Sequence, residues 1–197
     1  MNEKKYGGVL SRPVPAALFL LAAALIGGAA VLSAVRALRS GARLATGGAR
    51  WIWYLRDTTE PAPLKFYAER DLDLEAVPAH ALAKVFVDRR GVLFVNGSRF
   101  EVGEGRPGGT LRGFDVARVL RAGRNRILIE AESPTGPGGI LFALDLSRRN
   151  QVVSDRSWRV ALAEPVLRRG EGAPALVWGS PPMWPWRYPG MEGIPGR

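Results

Sequence analysis

The chain has no cysteine and a single histidine, His80. Without cysteine there is no disulfide, no thiolate nucleophile and no thiolate metal site, and neither a reducing nor an oxidising compartment is singled out. With one histidine, a Ser-His-Asp triad has only one possible base and a multi-histidine metal centre cannot form. Acidic residues are scarce at the start: residues 1–56 hold Glu3 alone against Lys4, Lys5, Arg12, Arg36, Arg39, Arg43, Arg50 and Arg56. The other 141 residues carry 20 basic and 17 acidic groups, an ordinary balance for a solvated domain. The net charge of +10 therefore sits mainly beside the first hydrophobic stretch. There, basic groups meet anionic lipid headgroups at about 1 kcal/mol each. This distribution points to a bilayer and not to nucleic acid.

What is present first is a long apolar run. Residues 14–35 read VPAALFLLAAALIGGAAVLSAV, 22 residues without a charge, and about 20 are needed to cross a hydrocarbon core. Pro15 suits the first turn of a helix, and Gly27-Gly28 is acceptable in a bilayer. A cleaved signal peptide is the rival reading. The run is longer than a usual signal core and its nearest small-residue site is followed by Arg36 and Arg39, so the segment is expected to remain as a transmembrane helix. Basic residues on both sides leave the positive-inside count indecisive, with Arg36, Arg39, Arg43 and Arg50 alone favouring a cytoplasmic C-terminal part. The nature of the following domain instead suggests a cytoplasmic N-terminus and an extracytoplasmic domain in the cell membrane.

The organisation expected is a short basic segment (1–13), the span (14–35), a Gly/Ala/Arg connector (36–50), a β-sandwich (51–165) and a Pro/Trp-rich tail (166–197). A length of 197 residues allows one such core and its appendages. Short β-type runs recur at WIWYL, LKFYAERDLDL, LAKVFVD, VLFVNG, SRFEVG, TLRGFDV, NRILIEAES, ILFALDL and SWRVAL. In the second, Phe66, Ala68, Leu72 and Leu74 share one face, and Lys65, Glu69, Asp71 and Asp73 the other, as in a strand with one buried and one wet side. Asp88-Arg89-Arg90-Gly91 and Asn96-Gly97 carry turn chemistry, and a helical turn fits near 116–120. So many short strands in about 115 residues predict an all-β sandwich or jelly roll.

The ordered segments Trp51-Ile52-Trp53, KFYAERDLDL, ALAKVFVDRRGVLFVNGSRF, FDVARVLRAGRNRILIEAES, GILFALDL and VVSDRSWRVA resemble the galactose-binding-like β-sandwich modules of bacterial α-rhamnosidases and the sugar-binding domains of β-galactosidase-type glycosidases. The resemblance runs from Trp51 to about Ala161. It implies the fold, and carbohydrate binding as one use of it. It transfers no sugar-binding residue, because the ligand loops of such modules vary. In those enzymes the module is accessory to a separate catalytic domain.

Candidate chemistry is sparse. Glu101/Glu104 and Glu130/Glu132 are candidates for the carboxylate pair a glycosidase needs, about 5 to 10 Å apart, but Glu130 and Glu132 alternate with Ile129 and Ala131 as a solvated strand face would, and Glu101 and Glu104 border a glycine-rich loop. Asp145 and Asp155 are too isolated for a calcium loop. Residues 103–109 are glycine-rich without the ending of a phosphate-binding loop, and His80 reads as a surface-loop residue. Trp51, Trp53 and Trp158 have faces that could stack on sugars, yet in the resembling modules they belong to the fold. No cofactor, metal ligand or catalytic residue is expected.

The tail concentrates Trp178, Met183, Trp184, Trp186 and Tyr188 among prolines, a segment that must lie on something: its own sandwich, a lipid interface or another subunit. The sequence thus supports a non-catalytic, membrane-anchored interaction module, an accessory subunit of a larger membrane assembly whose tail aromatics bind the partner. The alternative is a surface carbohydrate-binding protein.

Overall fold

A computed structural model of the chain describes residues 46–54, 63–105, 109–135, 138–147, 150–183 and 190–191. The expected span at 14–35 lies outside these residues. Among the described residues no helix is long and apolar enough to cross a membrane.

The alternating runs become two sheets. One contains β1 (Trp51–Trp53), β3 (Leu82–Val87), β6 (Thr110–Asp115), β8 (Ile140–Asp145), β9 (Gln151–Val153), β12 (Leu176–Gly179) and β13 (Gly190–Met191). Its order is β12-β1-β8-β3-β6-β13, with β9 also beside β8. The other contains β2 (Leu64–Leu74), β4 (Arg89–Val95), β5 (Ser98–Gly105), β7 (Gly123–Ser133), β10 (Arg159–Ala161) and β11 (Ala173–Pro174), in the order β11-β10-β2-β7-β4-β5. Pairing is antiparallel except between β13 and β6. The chain changes sheet repeatedly, so apolar faces from distant segments meet.

Phe66, Ala68, Leu93, Val95, Ile127, Ile129 and Val160 of the second sheet belong to one buried cluster with Ile52, Val85, Val87, Ile140, Phe142 and Leu144 of the first. Each fully buried side chain of this kind contributes about 1.5–3 kcal/mol. Aromatic edges lock the layers: Trp53 meets Phe66 at 4.6 Å between centroids and Phe142 meets Trp158 at 5.1 Å. In the SDRSW segment, Asp155 accepts the Ser157 N–H at 2.7 Å, and the turn drops Trp158 into the core with its indole N–H on the Val153 carbonyl at 3.0 Å. Ser154 ties this corner to both neighbours, donating to the Arg50 carbonyl and accepting from the Phe142 N–H.

The hairpin expected at Asn96-Gly97 is present, with φ of 50° and 88°. Both angles are positive, as a two-residue type I′ connection requires. At the other tight joint Gly91 is needed because a Cβ there would lie 2.5 Å from Val87.

Two expectations change. The sandwich does not close at 165: β11 pairs with β10, β12 pairs with β1, and Ala175 between them is buried and donates its N–H to the Trp158 carbonyl at 2.8 Å. One short stretch thereby covers an edge on each sheet, edges that would otherwise expose unpaired backbone groups. The polar side of β2 is also not uniformly wet, because a short helix, α1 (Glu164–Arg168), packs over the outer face of its sheet. Leu167 of α1 joins Leu128 and Ala161 in a small outer cluster with Tyr67 and Phe94 at its margin.

Candidate functional site

The cover provided by α1 is partial, and beside it the second sheet is left with an open cleft of about 540 Å³. Outward positions of three strands form the floor: Glu69 and Asp71 from β2, Arg124 and Arg126 from β7, and Arg159 from β10. Arg168 and Arg169 line it from the end of α1 and the turn after it, and Arg121 from the loop before β7. That turn is a Schellman motif: Gly170 (φ 78°) donates to the Leu167 carbonyl at 2.8 Å and Glu171 to Val166 at 3.1 Å. A glycine is favoured at such a position because the left-handed conformation lets the helix stop abruptly.

The floor is an alternating chain of charges. Glu69, only 2 % exposed, accepts from Arg126 and from Arg159, each at 2.5 Å. Arg159 continues to Asp71 at 3.1 Å, and Asp71 receives Arg124 at 2.9 Å. On the other side Arg126 continues to Glu164 at 2.7 Å, and Glu164 receives Arg168 at 2.8 Å. Read along its length the chain is Arg124, Asp71, Arg159, Glu69, Arg126, Glu164, Arg168. It begins and ends in an exposed arginine, Arg124 at 73 % and Arg168 at 66 %. Burial works against the Arg126 charge, but its bonds to Glu164 and Glu69 hold its pKa above the ordinary arginine value. The bond from Arg126 holds the Glu164 carboxyl below the usual carboxylate range, against the opposing effect of burial and with help from Arg168.

Asparagines fix one wall. Asn125, fully buried, accepts the Arg121 N–H at 2.9 Å and an Asn96 amide N–H at 2.7 Å, and donates to the carbonyls of Arg121 and Gly123. Asn96 in turn accepts the Arg126 N–H at 2.9 Å and donates to the Val119 carbonyl. The hairpin residue chosen for its positive φ thus also buttresses the loop that presents Arg121.

The residues singled out from sequence are scattered. Trp51, Trp53 and Trp158 are fully buried, which leaves no face for a sugar. Glu130 pairs with Lys65 at 2.8 Å, raising the lysine's pKa, and Glu101 pairs with Arg99. Asp145 is held by the buried Lys84 at 2.7 Å and accepts from Gln151, and His80 is exposed. Among the described residues no cluster of three or more acidic or histidine side chains is placed to hold a metal ion. Trp178 of β12 and Met183 are half-buried against Trp51, Phe86, Leu111 and Leu141 on the outer face of the first sheet. Trp184, Trp186 and Tyr188 lie outside the described residues. The arginine cleft was not foreseen, since it rests on a strand register that one sequence does not display.

No family model matches the chain, and no curated protein matches it. Solved structures do. A GH78 family rhamnosidase from a Bacillus species superposes with a TM-score of 0.64 at 23% identity, over 73% of this chain and 19% of that one. The Streptomyces avermitilis α-L-rhamnosidase, solved with L-rhamnose, gives 0.61 at 22% identity over 73% of this chain and 16% of that one. The Pleurotus ostreatus lectin in complex with GalNAc gives 0.60 at 19% identity over 74% of this chain and 48% of that one. The fold is a galactose-binding-like β-sandwich. The galactose-binding-like unit spans under a fifth of either rhamnosidase and about half of the lectin.

Proposed function

We propose that this chain is a non-catalytic carbohydrate-binding module held at a membrane by residues 14–35. The observation that carries the binding reading is the cleft over β2, β7 and β10, an open depression of a size suited to a small ligand and lined by fixed hydrogen-bond donors. The likeness to a lectin solved with GalNAc and to modules of rhamnosidases supports saccharide as the ligand class. Glu69 and Asp71 in the cleft and Glu164 beside it are each tied to two arginines, an arrangement for holding side chains in place and not for passing protons.

The test is a glycan array of neutral and acidic saccharides probed with the full-length protein. Saturable binding to one class supports the reading, and no binding to any class refutes it. The tether rests on the apolar run of 14–35. Protease added to intact spheroplasts should digest the sandwich, and full protection would place the domain in the cytoplasm.

A second reading, an accessory subunit docked through Trp178, Met183, Trp184, Trp186 and Tyr188, draws on Trp178. Its indole N–H is buried with no hydrogen-bond partner among the described residues. A stoichiometric membrane protein co-purifying in mild detergent, and lost on changing Trp184, Trp186 and Tyr188 to alanine, would support it.

A further inference from the structure

We infer that the cleft selects an acidic saccharide, with a carboxylate or sulfate seated among Arg121, Arg124 and Arg168. The inference deepens the carbohydrate reading and rests on it. Charge is the first argument. The alternating chain has four guanidiniums and three carboxylates, which leaves one positive charge, offset in part by Asp73 opposite Arg124, and Arg121 adds another with no acidic partner among the described residues. Arg169 adds none, since Glu171 holds it at 3.0 Å.

Donor supply is the second argument. A guanidinium carries five N–H donors, and each carboxylate in the chain is already shared by two arginines. Arg124 reaches Asp71 through Nη2, and Arg121 places Nε on the Arg124 carbonyl. Their remaining donors face a cleft whose acids are occupied on the floor. Planar forks of this kind match a carboxylate or sulfate by paired hydrogen bonds.

Pre-organisation is the third. Asn125 and Asn96 hold the Arg121 loop, and the Schellman turn stops α1 at Arg168. Among the described residues no aromatic side chain lines the cleft, so they offer no stacking platform of the kind a neutral sugar ring would use. The groups the described lining supplies for recognition are charges and hydrogen-bond donors.

Calorimetry on the full-length protein at physiological ionic strength tests this with a galacturonic-acid trisaccharide, the matching neutral galactose trisaccharide, inorganic sulfate and anionic lipid vesicles. The acidic trisaccharide should bind at least tenfold more tightly than the neutral one. Arg121→Gln/Arg124→Gln/Arg168→Gln should abolish that preference, whereas Arg89→Gln/Arg90→Gln/Arg99→Gln, which removes the same three positive charges from β4 and β5, should keep it. Equal loss in both variants would overturn the inference by showing unspecific attraction to a basic protein. Equal affinity for the two sugars, insensitive to the triple variant, would overturn it while leaving carbohydrate binding intact. Binding of sulfate, or a preference for anionic over neutral vesicles, that the triple variant loses and that occurs without binding of either sugar would refute both readings and assign the arginines to a non-saccharide anion.

Discussion

Glu69 offers the sharpest test of how the cleft is built. Its carboxylate is buried on the outer face of the second sheet and receives Arg126 and Arg159 at 2.5 Å each. Replacing Glu69 with glutamine keeps the volume but leaves two guanidiniums facing one another without the charge between them. Breaking a fully buried ion pair in this way costs about 3–5 kcal/mol. The two arginines retain 27% and 30% exposure and keep Glu164 and Asp71, which lets water and the remaining acids compensate in part. A cost of about 3 kcal/mol is therefore expected, or roughly a 6–12 °C fall in melting temperature for a domain of this size. Differential scanning calorimetry of the parent and Glu69→Gln at neutral pH measures it directly. A fall below about 2 °C would show that water already screens the pairs and that the network does not order the cleft.

Trp158→Ala removes a fully buried indole and its bond to Val153, and should cost about 3–5 kcal/mol in chemical denaturation; an unchanged midpoint would place the ring outside the core. Asn125→Ala deprives the Arg121 and Asn96 groups of their partners and should cost about 2–3 kcal/mol, since each buried group left unpaired costs about 1–3 kcal/mol and the loop can relax. Ending the chain after Gly172 removes β11, the buried Ala175 and the β12 cover of β1, and should eliminate a cooperative melt or lower it by more than about 10 °C, because several apolar side chains at about 1.5–3 kcal/mol each are lost. Glu164→Gln should be destabilising at neutral pH only. The folded carboxyl titrates below its unfolded value, so its contribution is complete above the ordinary carboxylate pKa and disappears as pH falls through the lower folded value; parallel melting curves for parent and variant at all pH values would contradict this.

The sandwich was legible because its signals are local. Alternation in β2, the positive-φ demand at Asn96-Gly97 and the apolar runs LAKVFV and ILFALD each depend on a few adjacent residues. Those two runs signal more than a one-sided strand. A strand apolar at nearly every position is covered on both faces, and Phe86 and Leu141 are indeed buried outside the main core, against Trp51, Leu111, Trp178 and Met183. The cleft was illegible for the opposite reason. Glu69 alternates like a solvated residue, and only the return of α1, some ninety positions later, shields that face. A partial signal existed in the outward positions Tyr67, Phe94 and Leu128, which are apolar where a wet face would be polar.

The same construction explains why the cleft depends on the whole fold. Its charges come from β2, β7, β10, α1 and the loop before β7, so no segment carries a motif for it. What brings them together is register: Asp71 stands opposite Arg126 and Glu69 opposite Arg159, and a one-residue slip would turn these side chains into the apolar core. The core therefore specifies the cleft, because the alternation that buries Ala68, Ile127 and Val160 directs Glu69, Arg126 and Arg159 outward. Carboxylates at the floor then limit the arginines' freedom at the expense of net positive charge. With Glu69, Asp71 and Glu164 each shared between two arginines, the cleft keeps a small charge excess on fixed donors, an arrangement that discriminates by geometry more than by long-range attraction.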